Sequence, residues 1–379
     1  MVSKQKILII IGGNYWSEIK RAEQYLPHYL SRYHQVTCFE YPQFTKMARL
    51  LKKEIPLLEK LNNNLVIYHS FGILPYGRIF VMINLINHFF NYLIMKIIIK
   101  KVTHFDLIIS FTPEVAFLPV KNQVKLIYHV LDDYAVLPWW NNPLSRFQLK
   151  ILEEKTIKRA DEIIAVSKKL AAKFKKYNKN IYLYPTPADL SNYFVFNKQK
   201  QKINDILSIK RPIVGFIGSG TIKGKIDLQL LNYLADKYPE INFVFIGLFD
   251  ESIIDFRGYP NLINLGYKPL QLLSSYIKHF DVGIIPYCLN RFGQSAYPVK
   301  IMEYLALGKP VVSTFLPSLD DLAQRRIIYT AESTEEFAKN IKIALKEKDE
   351  NLKKARIGEA KKNDWKVRII QYLKFLELA

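Results

Sequence analysis

One stretch, residues 281–314, constrains the fold of this chain more than any other. It contains an apolar run ended by Pro286, a polar loop, a helical segment and a second apolar run, Val311–Ser313. This order of strand, loop, helix and strand is typical of a parallel α/β sheet, in which ligands bind at the carboxyl ends of the strands. The stretch therefore predicts a binding site in the loop and at the start of the helix.

Lys300 and Glu303 lie at the predicted start of that helix. A lysine there can neutralise a phosphate, and a carboxylate three residues later shares roughly one helical face and can accept hydrogen bonds from a sugar diol. Together they suit a nucleotide-sugar. The alternative is an i,i+3 pair on the surface, with Tyr304 and Leu305 as ordinary core residues.

The segment resembles the donor-site motif of GT-B glycosyltransferases, especially of the family-4-like branch. The motif is matched by Pro298, Lys300, Glu303, Tyr304, Ala306, Gly308, Pro310, Val311 and Val312. The resemblance implies that Glu303 holds the nucleotide ribose and that Tyr297 and Pro298 belong to the same donor site. Ser295 stands where many retaining members have a second glutamate.

The net charge of +21 predicts an anionic partner. A nucleotide diphosphate, an anionic membrane and a nucleic acid are the candidates. The lysines are spread through the chain and no nucleic-acid-binding motif accompanies them, which argues against nucleic acid. Charge alone does not distinguish a nucleotide diphosphate from an anionic membrane. An AT-rich genome would also produce a lysine-rich chain, without any anionic partner.

The cysteines and the N-terminus point to a cytoplasmic protein. Cys38 and Cys288 have no metal-ligand spacing and lie in different predicted domains, which argues against a disulfide framework and a zinc site. The first apolar run stops at Gly12, and no cleavage site of small residues follows it. We therefore expect a first β-strand rather than a signal peptide.

The N-terminal half alternates apolar runs with helical segments, which predicts a doubly wound sheet. Residues 6–11 form the first predicted strand, followed by Gly12, Gly13 and Asn14. A double glycine lets a ligand approach the backbone closely, so these three residues are acceptor-side candidates. Packing needs alone would also explain the glycines.

The most hydrophobic segment, residues 79–99, is long enough to suggest a membrane span. Its polar residues argue otherwise, because they recur on one stripe of a helix: Asn84, Asn87, His88 and Asn91. Two interpretations stay open. The helix packs inside the domain, or its surplus apolar surface contacts an anionic membrane through Ile79–Lys101, with Arg78, Lys96, Lys100 and Lys101 at its ends.

Asp132 and Asp133 directly follow a predicted strand, residues 125–130. Adjacent carboxylates at a strand end are costly to desolvate, so they face solvent, a ligand or a cation; alternatively, they only begin the next turn. With Tyr128 they resemble a Tyr-x-x-x-Asp-Asp pattern of teichuronic-acid-type glycosyltransferases. The resemblance places Asp132 opposite the reactive carbon of the sugar and makes the pair catalytic candidates. His129 is expected to lie in the strand and pack.

A second glycine-rich segment follows the apolar run Pro212–Ile217. It is predicted to form a turn before a helix, and its candidate donor-binding residues are Gly218, Ser219, Gly220, Lys223 and Lys225. Backbone N–H groups and two lysines suit a diphosphate, although a plain structural turn explains them too. Lys223-Gly224 is similar to a Lys-Gly pair of the same family, and the resemblance points to Tyr267 near the nucleobase.

Taken together, the resemblance implies an α/β protein of the GT-B fold, with two Rossmann-like doubly wound domains facing a cleft. Residues 1–197 form the acceptor-side domain, residues 211–360 the nucleotide-sugar donor domain, and residues 361–379 a terminal helix that returns to the first domain.

The implied reaction is metal-independent and cofactor-free transfer of a sugar from a nucleoside-diphosphate sugar to a glycan or lipid-linked glycan in cell-surface polysaccharide synthesis. Retention of configuration is the family-level expectation. Inversion with Asp132 or Asp133 as general base and a catalytically silent nucleotide-sugar- or membrane-binding protein are the alternatives. The expected location is the cytoplasm, at the inner face of the cell membrane.

Overall fold

The computed structural model describes residues 4–12, 16, 22–77, 80–98, 104–119, 123–134, 143–194, 203–250, 252 and 254–377. The chain divides into two compact units. The first unit contains Met1–Pro185 and Ile369–Ala379, and the second contains Thr186–Arg368. Each unit is built on its own β-sheet.

The first sheet is almost entirely parallel. Within the described residues it contains eight strands: β1 (Lys6–Ile10), β2 (Gln35–Phe39), β3 (Leu58–Asn62), β4 (Leu65–Tyr68), β5 (Leu107–Ser110), β6 (Lys125–Val130), β7 (Glu162–Ala165) and β8 (Ile181–Leu183). Their order is β3-β4-β2-β1-β5-β6-β7-β8, and the β3–β4 pair is antiparallel. The winding direction reverses between β1 and β5, which places Gly12 at the switch point.

Helices cover both faces of this sheet. They are α1 (Ala22–Leu30), α2 (Phe44–Leu51), α3 (Val81–Ile98), α4 (Pro143–Arg159) and α5 (Lys168–Phe174), with a 3₁₀ helix at Pro113–Phe117. The connections through α3, α4 and α5 all run in the same direction across the sheet. Because such crossovers are right-handed, these three helices lie on one face.

The second sheet is entirely parallel. Within the described residues it contains six strands: β9 (Ile213–Gly220), β10 (Asn242–Phe249), β11 (Leu262–Asn264), β12 (Val282–Ile285), β13 (Val311–Thr314) and β14 (Tyr329–Ala331). The order is β11-β10-β9-β12-β13-β14. Its winding reverses between β9 and β12, so a ligand site is expected at the carboxyl ends of these two strands. The predicted α/β class is confirmed, with a doubly wound sheet in each unit.

The remaining helices are α6 (Asn204–Leu207), α7 (Leu228–Lys237), α8 (Leu270–His279), α9 (Arg291–Ser295), α10 (Lys300–Ala306), α11 (Asp320–Gln324), α12 (Thr334–Lys346), α13 (Glu350–Lys362) and α14 (Trp365–Phe375). A second 3₁₀ helix spans Pro317–Leu319. The last residues of α14 belong to the first unit, where the Phe375 ring packs edge-on against Tyr182 at 4.2 Å between centroids.

Gly218, Ser219 and Gly220 correct one prediction. They do not form a turn, because they are the last residues of β9 and pair with Gly247, Leu248 and Phe249 of β10. A Cβ atom on Gly247 would lie 1.7 Å from the Gly218 carbonyl oxygen. The two backbones therefore approach so closely that glycine is required at Gly247, and the turn follows at residues 223–225.

Candidate functional site

Lys300 is the first residue of α10, and its ammonium group reaches back to the ends of β9 and β12. Its Nζ donates a hydrogen bond to Tyr287 Oη at 3.0 Å and lies 5.3 Å from the centroid of the Phe216 ring. A Cβ atom on Gly218 would lie 3.0 Å from the same Nζ. Glycine at 218 therefore leaves the space in which the lysine meets the strand end.

Tyr287 organises this edge of the sheet, although the sequence analysis did not single it out. The Nζ atoms of Lys225 and Lys300 each lie 5.5 Å from the centroid of the Tyr287 ring. Thr314 Oγ1 donates to the Tyr287 carbonyl at 2.8 Å. Two cations thus flank one tyrosine at the winding reversal. An aromatic residue just after Pro286, which ends the apolar run of β12, was the available signal.

Backbone and amide contacts join the loops that follow β9 and β12. Cys288 N–H donates to the Lys225 carbonyl at 2.9 Å, and the Asn290 amide donates to the Gly224 carbonyl at 2.6 Å. Gly224 has a φ of +76°, which glycine adopts without strain. The two loops therefore hold Lys225 beside Tyr287, whereas the Lys223 side chain is exposed on the turn.

The N-terminus of α7 is capped by the side chain of Asp227, the residue just before the helix. Asp227 accepts a hydrogen bond from the Leu230 N–H at 3.0 Å. Because this carboxylate occupies the helix terminus, the start of α7 is a poor site for an anion, and the lysines of the turn stay the candidates for that role.

Glu303 lies one helical turn after Lys300 and is half-buried. Burial raises the pKa of its carboxyl group, while Lys300 and Tyr193 lower it. Burial also lowers the pKa of Lys300 to about 8, because removal from water disfavours the ammonium form, and Glu303 opposes this effect. The two groups therefore act on each other in a partly dry environment rather than on an open surface. An anionic ligand would raise the pKa of the lysine, because a nearby negative charge favours the ammonium form.

Tyr304 and Leu305 are fully buried, as the alternative of ordinary core residues predicts. Tyr304 Oη accepts a hydrogen bond from the Ile217 N–H at 2.8 Å. A Cβ atom on Gly283 would lie 2.7 Å from the Tyr304 ring, so the ring packs directly on the β12 backbone. The tyrosine thus fixes α10, and with it Lys300 and Glu303, against β9 and β12.

We expect Tyr304→Phe to destabilise the second unit by about 1–3 kcal/mol, because the buried Ile217 amide loses its acceptor. Urea unfolding should reveal the loss, and hydrogen exchange should show lower protection of the Ile217 amide. Tyr259→Phe is the matched control, because the Tyr259 hydroxyl contacts Asp236 at the surface. Equal stability of the two variants would contradict this role of Tyr304.

Tyr267, Tyr297 and Pro298 occupy different environments. Tyr267 is 55% exposed, in the loop after β11. A cavity of about 400 Å³ is lined by Ile254, Asp255, Phe256, Arg257 and Asn264. The last of these residues ends β11, the strand before this loop. Tyr297 is half-buried against the core, and burial raises its pKa. Pro298 is buried, and its carbonyl accepts from the Ile301 N–H at 3.0 Å, which starts α10.

In the first unit, Asp132 and Asp133 follow β6 and are both partly exposed. Asp133 accepts a hydrogen bond from Lys173 Nζ at 2.7 Å, and Lys173 also contacts Glu153 at 2.9 Å. No pattern in the sequence predicted this ion pair. Burial is the main cause that raises the pKa of Tyr134, and nearby carboxylates, including that of Asp132, raise it further. The ion pair occupies one oxygen of Asp133.

The remaining first-unit candidates are Gly12, Gly13 and Asn14. Gly12 N–H donates to Glu23 Oε2 at 3.3 Å, and a Cβ atom there would lie 3.1 Å from the Thr112 methyl group. Gly13 and Asn14 lie outside the described residues. His129 is buried in β6 and stacks on Phe111 at 4.7 Å, as its position in the strand predicted. In the described part of the chain, no group of three or more His, Cys, Asp or Glu is placed to hold a metal ion.

Comparison with known proteins gives a consistent picture. Residues 211–347 match the family model described as glycosyl transferases group 1. The chain is 30% identical over 272 residues to a Bacillus subtilis (strain 168) protein assigned as the teichuronic acid biosynthesis glycosyltransferase TuaH, and the match covers 66% of each chain.

Solved structures are similar over nearly the whole chain. A sucrose-phosphate synthase from Thermosynechococcus elongatus has a TM-score of 0.73 at 12% identity, covering 99% of this chain and 98% of that one. The Anabaena protein HepE, crystallised with UDP and glucose, has a TM-score of 0.67 at 16% identity, covering 99% of this chain and 100% of that one. At such low identity these likenesses concern the fold, which is the one that the sequence predicted.

Proposed function

Because this chain belongs to the group 1 glycosyltransferases and has the GT-B fold, we propose that it transfers a sugar from a nucleoside-diphosphate sugar to a hydroxyl group of a glycan or lipid-linked glycan. The observation that carries the proposal is the pair of cations, Lys225 and Lys300, flanking Tyr287 where the winding of the second sheet reverses. The pathway that we propose is the synthesis of a cell-surface polysaccharide, which the similarity to TuaH supports.

Each residue of the second unit has a proposed role in donor binding. Lys300 and Lys225 pair with the diphosphate, and Glu303 accepts hydrogen bonds from the ribose diol. Gly218 allows the diphosphate to approach the end of β9. The complexes of HepE with UDP-glucose and with UDP support a nucleotide-sugar as the co-substrate.

We propose that the reaction needs neither a metal ion nor another cofactor. Positioned lysines stabilise the negative charge that develops on the departing diphosphate, which is the main electrostatic demand of glycosyl transfer. Transfer should therefore proceed at the same rate with and without EDTA.

Asp132 is the proposed catalytic residue of the first unit. It follows the carboxyl end of β6, the end at which parallel sheets bind ligands, and it is partly exposed there. We propose retention of the anomeric configuration. Inversion, in which Asp132 removes the proton from the acceptor hydroxyl, is the second candidate and is favoured by the carboxylate itself.

The test is to incubate the protein with labelled nucleotide-sugars and a lipid extract from bacterial envelopes. Appearance of label in the lipid or glycan fraction supports the proposal, and NMR of the product distinguishes an α from a β linkage. Absence of transfer with every donor, despite nucleotide-sugar binding, would support the catalytically silent alternative instead.

Affinity for UDP should fall as the pH rises through about 8. Burial lowers the pKa of Lys300 to about 8 in the free protein, and a bound diphosphate would raise it. Binding is therefore strongest below about pH 8, where the lysine is already protonated, and weakens above it. Calorimetry between about pH 7 and 9.5 measures this effect. Lys300→Gln should remove it, and a constant wild-type affinity over the same range would contradict it.

A further inference from the structure

Helix α3 buries a stripe of polar residues along with part of its apolar surface, and it exposes a further set of apolar residues, which an ordinary surface helix does not do. Its buried side chains include Asn84, Asn87, His88 and Asn91. Its exposed side chains include Met82, Ile86, Phe89, Phe90, Ile97 and Ile98. Such a contiguous apolar stripe on a protein surface marks an interaction site more often than a random feature.

The asparagines explain why the polar stripe faces inward. The Asn91 side chain accepts from the Phe71 N–H at 3.0 Å and donates to the Phe71 carbonyl at 2.6 Å. Asn87 accepts from the N–H groups of Ile73 and Leu74, both at 2.9 Å. These bonds satisfy the backbone of the segment after β4 and hold α3 to the first unit.

The same hydrogen bonds decide whether α3 crosses a membrane or packs as part of the first unit. By length and composition α3 is the one helix of the described residues that could cross a membrane, although 44% of its residues are buried inside the protein. Crossing a bilayer would require the Asn87 and Asn91 bonds to break and leave polar groups unpaired in hydrocarbon. The helix is therefore fixed in the domain, and only its outward side is available to a partner.

A second exposed apolar stripe lies on α4, the neighbour of α3. Both helices lie on the same face of the first sheet and pack on the 3₁₀ helix Pro113–Phe117: Thr156 of α4 donates to the Pro113 carbonyl, and Asn84 of α3 donates to Glu114. Leu144, Phe147 and Ile151 of α4 are all exposed. Because they are spaced by three and four residues, they form one outward stripe.

The charges on this surface are mainly positive. Among the described residues of α3 and α4, the exposed charged side chains are Lys96, Arg146, Lys150, Lys155 and Lys158. Of the two acids of α4, Glu153 is buried against Lys173. Glu154 accepts a hydrogen bond from Tyr177 and interacts with Lys150 and Lys158, so it offsets only part of the positive charge. Apolar stripes bordered mainly by cations match the acyl and headgroup layers of an anionic membrane.

We propose that the outward sides of α3 and α4, here called the α3–α4 surface, dock on an anionic lipid bilayer. Phe89, Phe90, Phe147 and Ile151 enter the boundary between headgroups and acyl chains, and the lysines contact lipid phosphates. The predicted segment Ile79–Lys101 is thus only half of the surface, and its Arg78, Ile79, Lys100 and Lys101 lie outside the described residues. Such docking would place the protein at a membrane, and it does not depend on the proposed sugar transfer.

Flotation with lipid vesicles tests the proposal. We expect the protein to float with vesicles of equimolar phosphatidylcholine and phosphatidylglycerol, to float little with phosphatidylcholine alone, and to detach as salt rises. The double variant Phe90→Ser with Phe147→Ser should bind about tenfold more weakly or worse, since each exposed ring contributes apolar burial. Phe90→Leu with Phe147→Leu should retain most of the binding.

The charge variant is Arg146→Gln, Lys150→Gln and Lys155→Gln, which should also lose about tenfold or more at low salt. Its matched control, Lys339→Gln, Lys354→Gln and Lys362→Gln, removes three exposed cations from the second unit and should bind like the wild type. For the serine variant the control is Leu207→Ser with Ile343→Ser, two exposed apolar residues of the second unit.

Equal loss in the test and control variants, or flotation that ignores lipid charge, would overturn the proposal. So would a dimer in analytical ultracentrifugation that the serine variant dissociates while no variant binds vesicles, because the α3–α4 surface would then meet a second copy. Unchanged melting temperatures verify that the variants fold. Flotation needs no nucleotide, so it can succeed even if donor binding fails.

Discussion

Replacing Lys300 with methionine is expected to weaken binding of a nucleoside diphosphate by about 10–100-fold, which corresponds to the loss of one charge-assisted hydrogen bond. The rate of transfer should fall further, by about 10²–10³-fold, because the charge on the departing diphosphate grows in the transition state. Calorimetry with UDP and single-turnover transfer measure the two effects separately.

The fold should survive this substitution, because a half-buried cation is replaced by an apolar side chain of similar length. Lys339→Met serves as the control, since Lys339 is exposed on α12 of the same unit. If Lys300→Met bound UDP as tightly as the control, the lysine would not contact the diphosphate and the assignment of the donor site would be wrong.

Asp132→Asn should reduce transfer by about 10²–10⁴-fold while leaving UDP binding unchanged. The reason is that asparagine keeps the shape of the side chain but neither accepts a proton nor stabilises positive charge at the reacting carbon. Donor binding is spared because the proposed nucleotide contacts all belong to the second unit. Single-turnover transfer and calorimetry with UDP are again the measurements.

Two comparisons make the Asp132 result specific. Asp321→Asn removes an exposed carboxylate from a surface pair with Arg325 and should not affect transfer. Asp133→Asn breaks the contact with Lys173 and should lower stability more than it lowers transfer. Full activity of Asp132→Asn, or a larger loss in Asp133→Asn, would contradict the assignment of Asp132.

Much of the second unit was predictable because its information is local. The apolar runs before Pro286 and after Pro310 became β12 and β13, and the helix begins at Lys300 as expected. Tyr304 lies in the core against β9 and β12, where its hydroxyl group accepts a hydrogen bond from the Ile217 N–H.

The contacts of Tyr287 were not predictable, because they depend on residues far apart in the chain. Tyr287 brings Lys225 and Lys300 together only through the pairing of β9 with β12 and the bonds between the loops that follow them. A sequence pattern within one segment does not reveal its contacts with a distant segment. The ion pair of Asp133 with Lys173, forty residues apart, was missed for the same reason.

Two further differences have local causes that the sequence left ambiguous. Gly218 and Gly220 resembled a turn, but they extend β9, because the glycine opposite, Gly247, lets the strands meet. The polar stripe of α3 was correctly located, yet its direction was not given by periodicity. A regular spacing defines a stripe, and only the bonds to residues 71–74 reveal that the stripe is the buried one.

We propose that the carboxyl edge of the second sheet binds a nucleoside-diphosphate sugar through Lys300 and Glu303. Thermal unfolding with a panel of nucleotide-sugars tests it most directly, since a ligand of the folded state raises the melting temperature with its concentration. We predict that at least one nucleoside-diphosphate sugar stabilises the wild type, and that Lys300→Met and Glu303→Gln lose most of this effect. A panel without any stabilising ligand, or equal stabilisation of both variants, would contradict the claim.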